Sequence, residues 1–161
     1  MDNLQTIPLT LALGKATLAA GTTSTLSSTG ALAYAIRGKA YSRAALSNTA
    51  TPTTDANTGI AFLPVVTNKG SVFVIGYNAA GGLVAAQGSI EALDSSGNFI
   101  YAPQFPVVPD TMCPIGYEII KAGSTASAGG WVFGTSNQAS VTGITYTLVD
   151  VVTLPERPQV S

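Results

Sequence analysis

Histidine is absent from all 161 residues. That removes the commonest general base near neutral pH and the commonest transition-metal ligand. A Ser-His-Asp or Cys-His centre within one chain is excluded, as is a zinc site built from His and Cys. Cysteine occurs once, at Cys113, so no intrachain disulfide and no CxxC pair exist. This fits a reducing compartment, with Cys113 acting as a small buried hydrophobe. Charge is scarce: 9% of residues are Asp, Glu, Lys or Arg, against about 25% in an average soluble domain. A surface so poor in charge is expected where much of it is covered by partners. Net charge is −1, which argues against duplex binding, whose affinity comes from neutralising phosphates. No run of 18 apolar residues is present, so no membrane span is expected. The start "MDNLQ" is acidic and Lys15 interrupts the apolar run after it, which argues against a secretory signal.

Other motifs are equally scarce. No GK[ST] and no GxGxxG occur, so the glycines read as turns and bulges. The eight carboxylates are Asp2, Asp55, Glu91, Asp94, Asp110, Glu118, Asp150 and Glu156. Glu91 and Asp94 are close, but they flank the turn "DSSGN", and solvated turn charges explain them better than a glycosidase pair. "DSSGN" also lacks the spaced acidic ligands of a calcium loop. No cofactor is expected, and the chain does not read as an enzyme.

The chain is rich in Gly, Pro, Ser, Thr and Ala, and its apolar residues alternate rather than recur at helical spacing. "GKATLAAG" and "RAALSN" could form a helical turn or two, bounded by Gly14, Gly21 and Asn48. Strands are expected at 8–13, 31–43, 59–66, 71–77, 83–87, "FIYAP", 116–122, 131–133 and 144–154. "NAAGG" reads as the turn of a hairpin joining 71–77 to 83–87, and residues 47–58 as a mobile loop. The expectation is an all-β sandwich or barrel. Residues 1–8 read as an N-terminal arm, 9–153 as the all-β domain, and 154–161 as an extended tail. Within the domain, 102–114 carries Pro103, Pro106, Pro109 and Pro114 and reads as an extended crossover. Trp131 and Phe133 share one strand face, a core position or, if exposed, a glycan platform.

One stretch concentrates charge. "AIRGKAYSR" (35–43) holds three of the seven basic residues. Read as a continuous strand, it places Arg37, Lys39, Tyr41 and Arg43 on one face, with charges about 7 Å apart. Such a row can protect an edge strand, dock an acidic protein surface or hold phosphate. The expectation is a subunit boundary or a face that meets a larger assembly.

The C-terminal third carries a resemblance. "CPIGYEIIKAGSTASAGGWVFGTSNQASVTGITYTLVDVVTLPERP" (113–158) resembles a segment of small structural head proteins of tailed bacteriophages. Its elements are a P-x-G start, a KAG strand end, an FGT turn, a GIT-x-T-x-x-DV strand and an LP-x-RP ending. "VFVIGYNAAGGLVAAQG" (72–88) is similar to those proteins too. The resemblance implies a capsid decoration or cement protein, made in the host cytoplasm and carried in the virion. It would sit on the outer head surface as a homotrimer and bind the major capsid protein, clamping the shell against DNA pressure. It implies no catalytic residue, no membrane and no direct nucleic-acid contact. In that setting Arg37, Lys39, Tyr41 and Arg43, with Leu154, Pro155 and Arg157 of the tail, are the expected partner-binding residues. The alternative is a head-fibre or spike module that binds host-surface glycan.

Overall fold

The computed structural model describes residues 9–159, so the expected N-terminal arm, 1–8, lies outside the described residues. It is all-β, with no helix among the described residues. Among the described residues, eleven strands form three antiparallel sheets. One sheet joins β1 (Leu11–Ala12), β4 (Leu32–Ile36) and β5 (Lys39–Arg43) in that order. A second joins β2 (Leu18–Ala20), β3 (Thr25–Ser28) and β6 (Thr49–Ala50). The central sheet runs β11 (Ile144–Asp150), β10 (Met112–Ala122), β7 (Lys69–Asn78), β8 (Leu83–Gln87), with β9 (Glu91–Ala92) also paired to β7. The sheets pack as a sandwich and none closes into a barrel.

The two long strands explain this arrangement. "KGSVFVIGYN" and "MCPIGYEIIKA" are almost wholly buried, so both faces of the central sheet need cover. Phe73, Ile75, Tyr77, Cys113, Ile115 and Ile120 face the main core, where Leu18, Leu26, Tyr34, Trp131 and Phe133 meet them. Val72, Val74, Met112, Tyr117 and Ile119 form a second, smaller core on the other face. That face is covered by the proline-rich segment and the tail. Phe105 meets Tyr117 edge-on at 5.0 Å, and Val108 and Leu154 pack beside it. Residues 102–109 are thus a packed strap. The crossover ends earlier than expected, because 112–114 already belong to β10. Pro114 is tolerated at a register shift between Pro114 and Gly116, beyond the end of β11 pairing.

The tail also departs from expectation. Pro158 is buried and the Gln159 N–H donates to Tyr117 Oη at 3.0 Å. Residues 154–159 therefore fold back on their own domain rather than extend. Other expectations fail for local reasons. "GKATLAAG" contributes β2, because Leu18 buries itself against the central sheet and a helical turn could not pair with β3. "RAALSN" contains no helix; Leu46 is buried and its carbonyl accepts from Ser28 N. Residues 59–66 and 131–133 form no strands, only a bridge of two backbone hydrogen bonds between Val65 and Trp131 and another between Thr54 and Ala61. "FIYAP" gives one bridge, Phe99 to Leu93. The segment 47–58 is anchored: Thr49–Ala50 is β6, and the Thr51 N–H and Oγ1–H both donate to Ser24 O.

The FGT turn is fixed by a close approach. Gly134 has φ +83°, and a Cβ there would collide with the Pro52 carbonyl. Both strain and clash oppose a side chain. Gly134→Ala is expected to lower the urea midpoint sharply. By contrast Gly97→Ala, with φ +79° but open space around it, carries only the backbone penalty, roughly 1–2 kcal/mol.

Candidate functional site

The basic stretch is not one strand. β4 ends at Ile36 and β5 begins at Lys39, joined by a two-residue turn in which Arg37 has φ +50° and Gly38 φ +77°. Two positive φ values match the twist of a tight hairpin. Alternation cannot be carried through such a turn, because the chain reverses and its parity resets. The register pairs Ile36 with Lys39, Tyr34 with Tyr41 and Leu32 with Arg43. Lys39, Tyr41 and Arg43 therefore share a face with the apolar residues of β4, not the opposite one, and Arg37 leaves the row for the turn. The signal that gives the hairpin away is Gly38 within a 13-residue run, far longer than an ordinary strand of about 5–6 residues.

The face that results is aromatic and basic. Tyr41 stacks on buried Tyr34, with centroids 5.6 Å apart and planes at 23°. Tyr34 donates its hydroxyl to Asn78 O at 2.8 Å, which fixes the stack to the main core. Lys39 Nζ lies 5.5 Å from the Tyr41 ring centroid, a cation–π distance. Arg37 pairs with Asp110, the residue just after the strap, and both are largely exposed. Such a surface pair contributes little to stability, but it spends the Arg37 charge. A cleft of about 350 Å3 lies here, lined by Ile36, Arg37, Lys39, Tyr41, Ala79 and Thr111. A neighbouring cleft of about 340 Å3 includes Asp110, Val108, Met112 and Leu154. The Arg37–Asp110 pair stands between them.

The structure thus brings Arg37, Lys39, Tyr41 and Leu154 into one neighbourhood, with Arg43 at the far end of β5. Leu154 is half-buried against the second core. Pro155 and Arg157 are exposed on the tail.

Three other carboxylates have structural occupations. Asp94 accepts backbone N–H bonds from Asn98 and Ser96, and the Asn98 bond above all holds it below the usual carboxylate range. Asp150 accepts from Leu18 N at 2.8 Å and ties β2 to β11. Asp55 accepts from Asn57 N. No cluster of three or more metal-ligating side chains occurs among the described residues. Cys113 is free and buried, and burial pushes its thiol up to about 11, so it stays protonated and unreactive near neutral pH. Trp131 is 1% exposed and donates Nε1–H to Asn137 O at 2.9 Å. It offers no platform for a sugar.

One buried acid stands apart from these. Glu118 is buried in the middle of β10, and burial raises its carboxyl to about 8. When the carboxyl is ionised, the Gln138 amide turned toward it donates Nε2–H to both Glu118 oxygens at 2.9 Å. No cation pairs with it among the described residues. Its parity with Ile120 and Ala122, both buried, is the sequence signal.

Compared with protein-family models, with curated proteins and with solved structures, the chain matches none.

Proposed function

We propose that this chain is a structural protein of a tailed-bacteriophage head, a decoration or cement protein. In this reading it sits on the outer surface of the head as a homotrimer, binds the major capsid protein and stabilises the shell against DNA pressure. The observation that carries it is the surface. Leu9, Leu13, Ile60, Leu63, Ile100, Tyr101 and Val107 are each more than half exposed, on a chain with only 9% charged residues. Scattered apolar residues are normal on any protein. So many of them with so little charge suit a surface that partners cover. The phage-like segment 113–158 supports the same reading; it builds β10, β11 and the folded-back tail.

A cement protein needs no reactive group. It needs many weak contacts repeated over identical sites, and trimerisation makes them multivalent. A protein that binds only the assembled shell stabilises it by linkage. The test is to add purified chain to heads assembled without it. Sedimentation should show a trimer that binds the heads saturably, and the heads should break open at a higher temperature. A monomer that leaves both binding and head stability unchanged contradicts the reading.

A further inference from the structure

We propose that β5 is a docking edge that accepts an extended acidic segment of a partner protein as an added strand. The proposal goes beyond the head-protein reading and stands on this chain's own geometry.

β5 is the outer strand of its sheet. Its outward backbone groups follow from the register. Leu13 N–H donates to Ala33 O at 2.9 Å, so Ala33 turns its backbone toward β1. Ser42, paired with Ala33, must then turn its own N–H and C=O away from β4. Ala40, paired with Ala35, which faces Leu11 of β1, does the same. Alternate residues of an antiparallel pair behave this way. No backbone hydrogen bond to Ala40 or Ser42 from outside the sheet occurs among the described residues. The edge of β8, by contrast, is met by Ala56 N–H on Ala85 O and by the Gln87 side chain bonded to Leu63 on both sides.

The side chains decide what can be added. Ala40 and Ser42 are small, so a new strand can approach. Lys39 and Arg43 flank Tyr41, both are exposed, and neither has an ion-pair partner among the described residues. Asp110, the acid nearest the turn, is engaged by Arg37. Added strands bring alternate side chains beside these charges. An apolar or basic strand would leave two cations desolvated or repelled, which blocks indiscriminate edge pairing. A strand with carboxylates four positions apart would lie opposite both Lys39 and Arg43, while its backbone fills the open hydrogen bonds. Main-chain bonds supply affinity and the charges supply choice.

The test uses the full chain and two synthetic eight-residue peptides, one alternating glutamate with threonine and one alternating lysine with threonine. Amide resonances are followed during titration. The acidic peptide should shift Ala40 and Ser42 first and slow their hydrogen exchange, and added salt should weaken it. The lysine peptide should bind about tenfold more weakly or less. The double change Lys39→Glu with Arg43→Glu should invert that preference. Ser42→Pro removes an outward N–H without touching the ladder to β4; it should abolish peptide binding while leaving the melting curve nearly unchanged. Equal binding of both peptides overturns the proposal. So do shifts that map away from β5, no shifts at millimolar peptide, or an unchanged preference after the charge reversal.

Discussion

Replacing Trp131 with alanine is expected to destabilise the fold by about 3–5 kcal/mol, the range for truncating a buried large aromatic. Trp131 is the hub of an aromatic cluster. Phe73 lies 5.7 Å away at 70°, Phe133 5.9 Å away at 76°, and Tyr146 6.1 Å away at 73°. Phe62 extends the cluster through Phe73 and Phe133. Edge-to-face contacts of this kind add to the area they bury. The truncation also leaves Asn137 O without the indole N–H, and the resulting cavity sits among rings that cannot collapse into it. Trp131→Phe keeps a ring in the cluster and should lose much less. Tyr101→Ala, at a side chain 72% exposed, should change stability by less than about 0.5 kcal/mol. Urea unfolding of the three variants measures the order. Equal losses for Trp131→Ala and Tyr101→Ala would show that the cluster does not anchor the fold.

The second large effect follows pH. Glu118 has an ordinary value of 4.5 and is raised to about 8 by burial. Below pH 4.5 it is protonated both folded and unfolded, and pH has no leverage through it. Between 4.5 and 8 the unfolded chain releases the proton while the folded chain keeps it. Stability therefore falls as pH rises across that window, by about 1.4 kcal/mol per unit at most. Above 8 both forms are ionised and the loss levels off. Glu118→Gln removes the titration and retains an amide partner for Gln138. It should flatten the profile and make the protein several-fold to many-fold more resistant to unfolding at pH 8–9, with little change at pH 5. Urea midpoints at pH 5, 7 and 9 test this. A wild-type midpoint that rises from pH 5 to 9, or a variant that follows the wild type in parallel, would remove Glu118 from the account.

Much of the fold was legible where side-chain chemistry is strong. β7, the NAAGG turn and β8 follow from β-branched runs around a glycine turn, and β8 falls on 83–87 as read. The later part of β10 and β11 are legible for the same reason. β2, β3 and β6 were not, because "LAA", "TLSS" and "TA" carry one buried leucine each or none. Their pairing is set by the sheets around them. The stretches 59–66 and 131–133 look like strands because Phe62, Val65, Trp131 and Phe133 are core residues. Core residues on irregular backbone carry the same apolar signal as strand residues, and only their partners tell them apart. The strap shows a similar limit: four prolines announce an extended path, but only Phe105 against Tyr117 fixes it to the sheet.

At the candidate site the residue types were legible and their geometry was not. Lys39, Tyr41 and Arg43 do share one face, but it is the face of Tyr34 and Ile36, and Arg37 is taken out of it by the turn and by Asp110. This sharpens the site from a row of three charges to an edge strand with two unpaired ones.

The proposed role itself is tested most directly by imaging heads assembled with and without this chain, at a resolution that separates subunits. The account predicts added density on the outer surface, with three copies grouped about a shared axis. Heads that look the same in both preparations, or density confined to the interior, would contradict it.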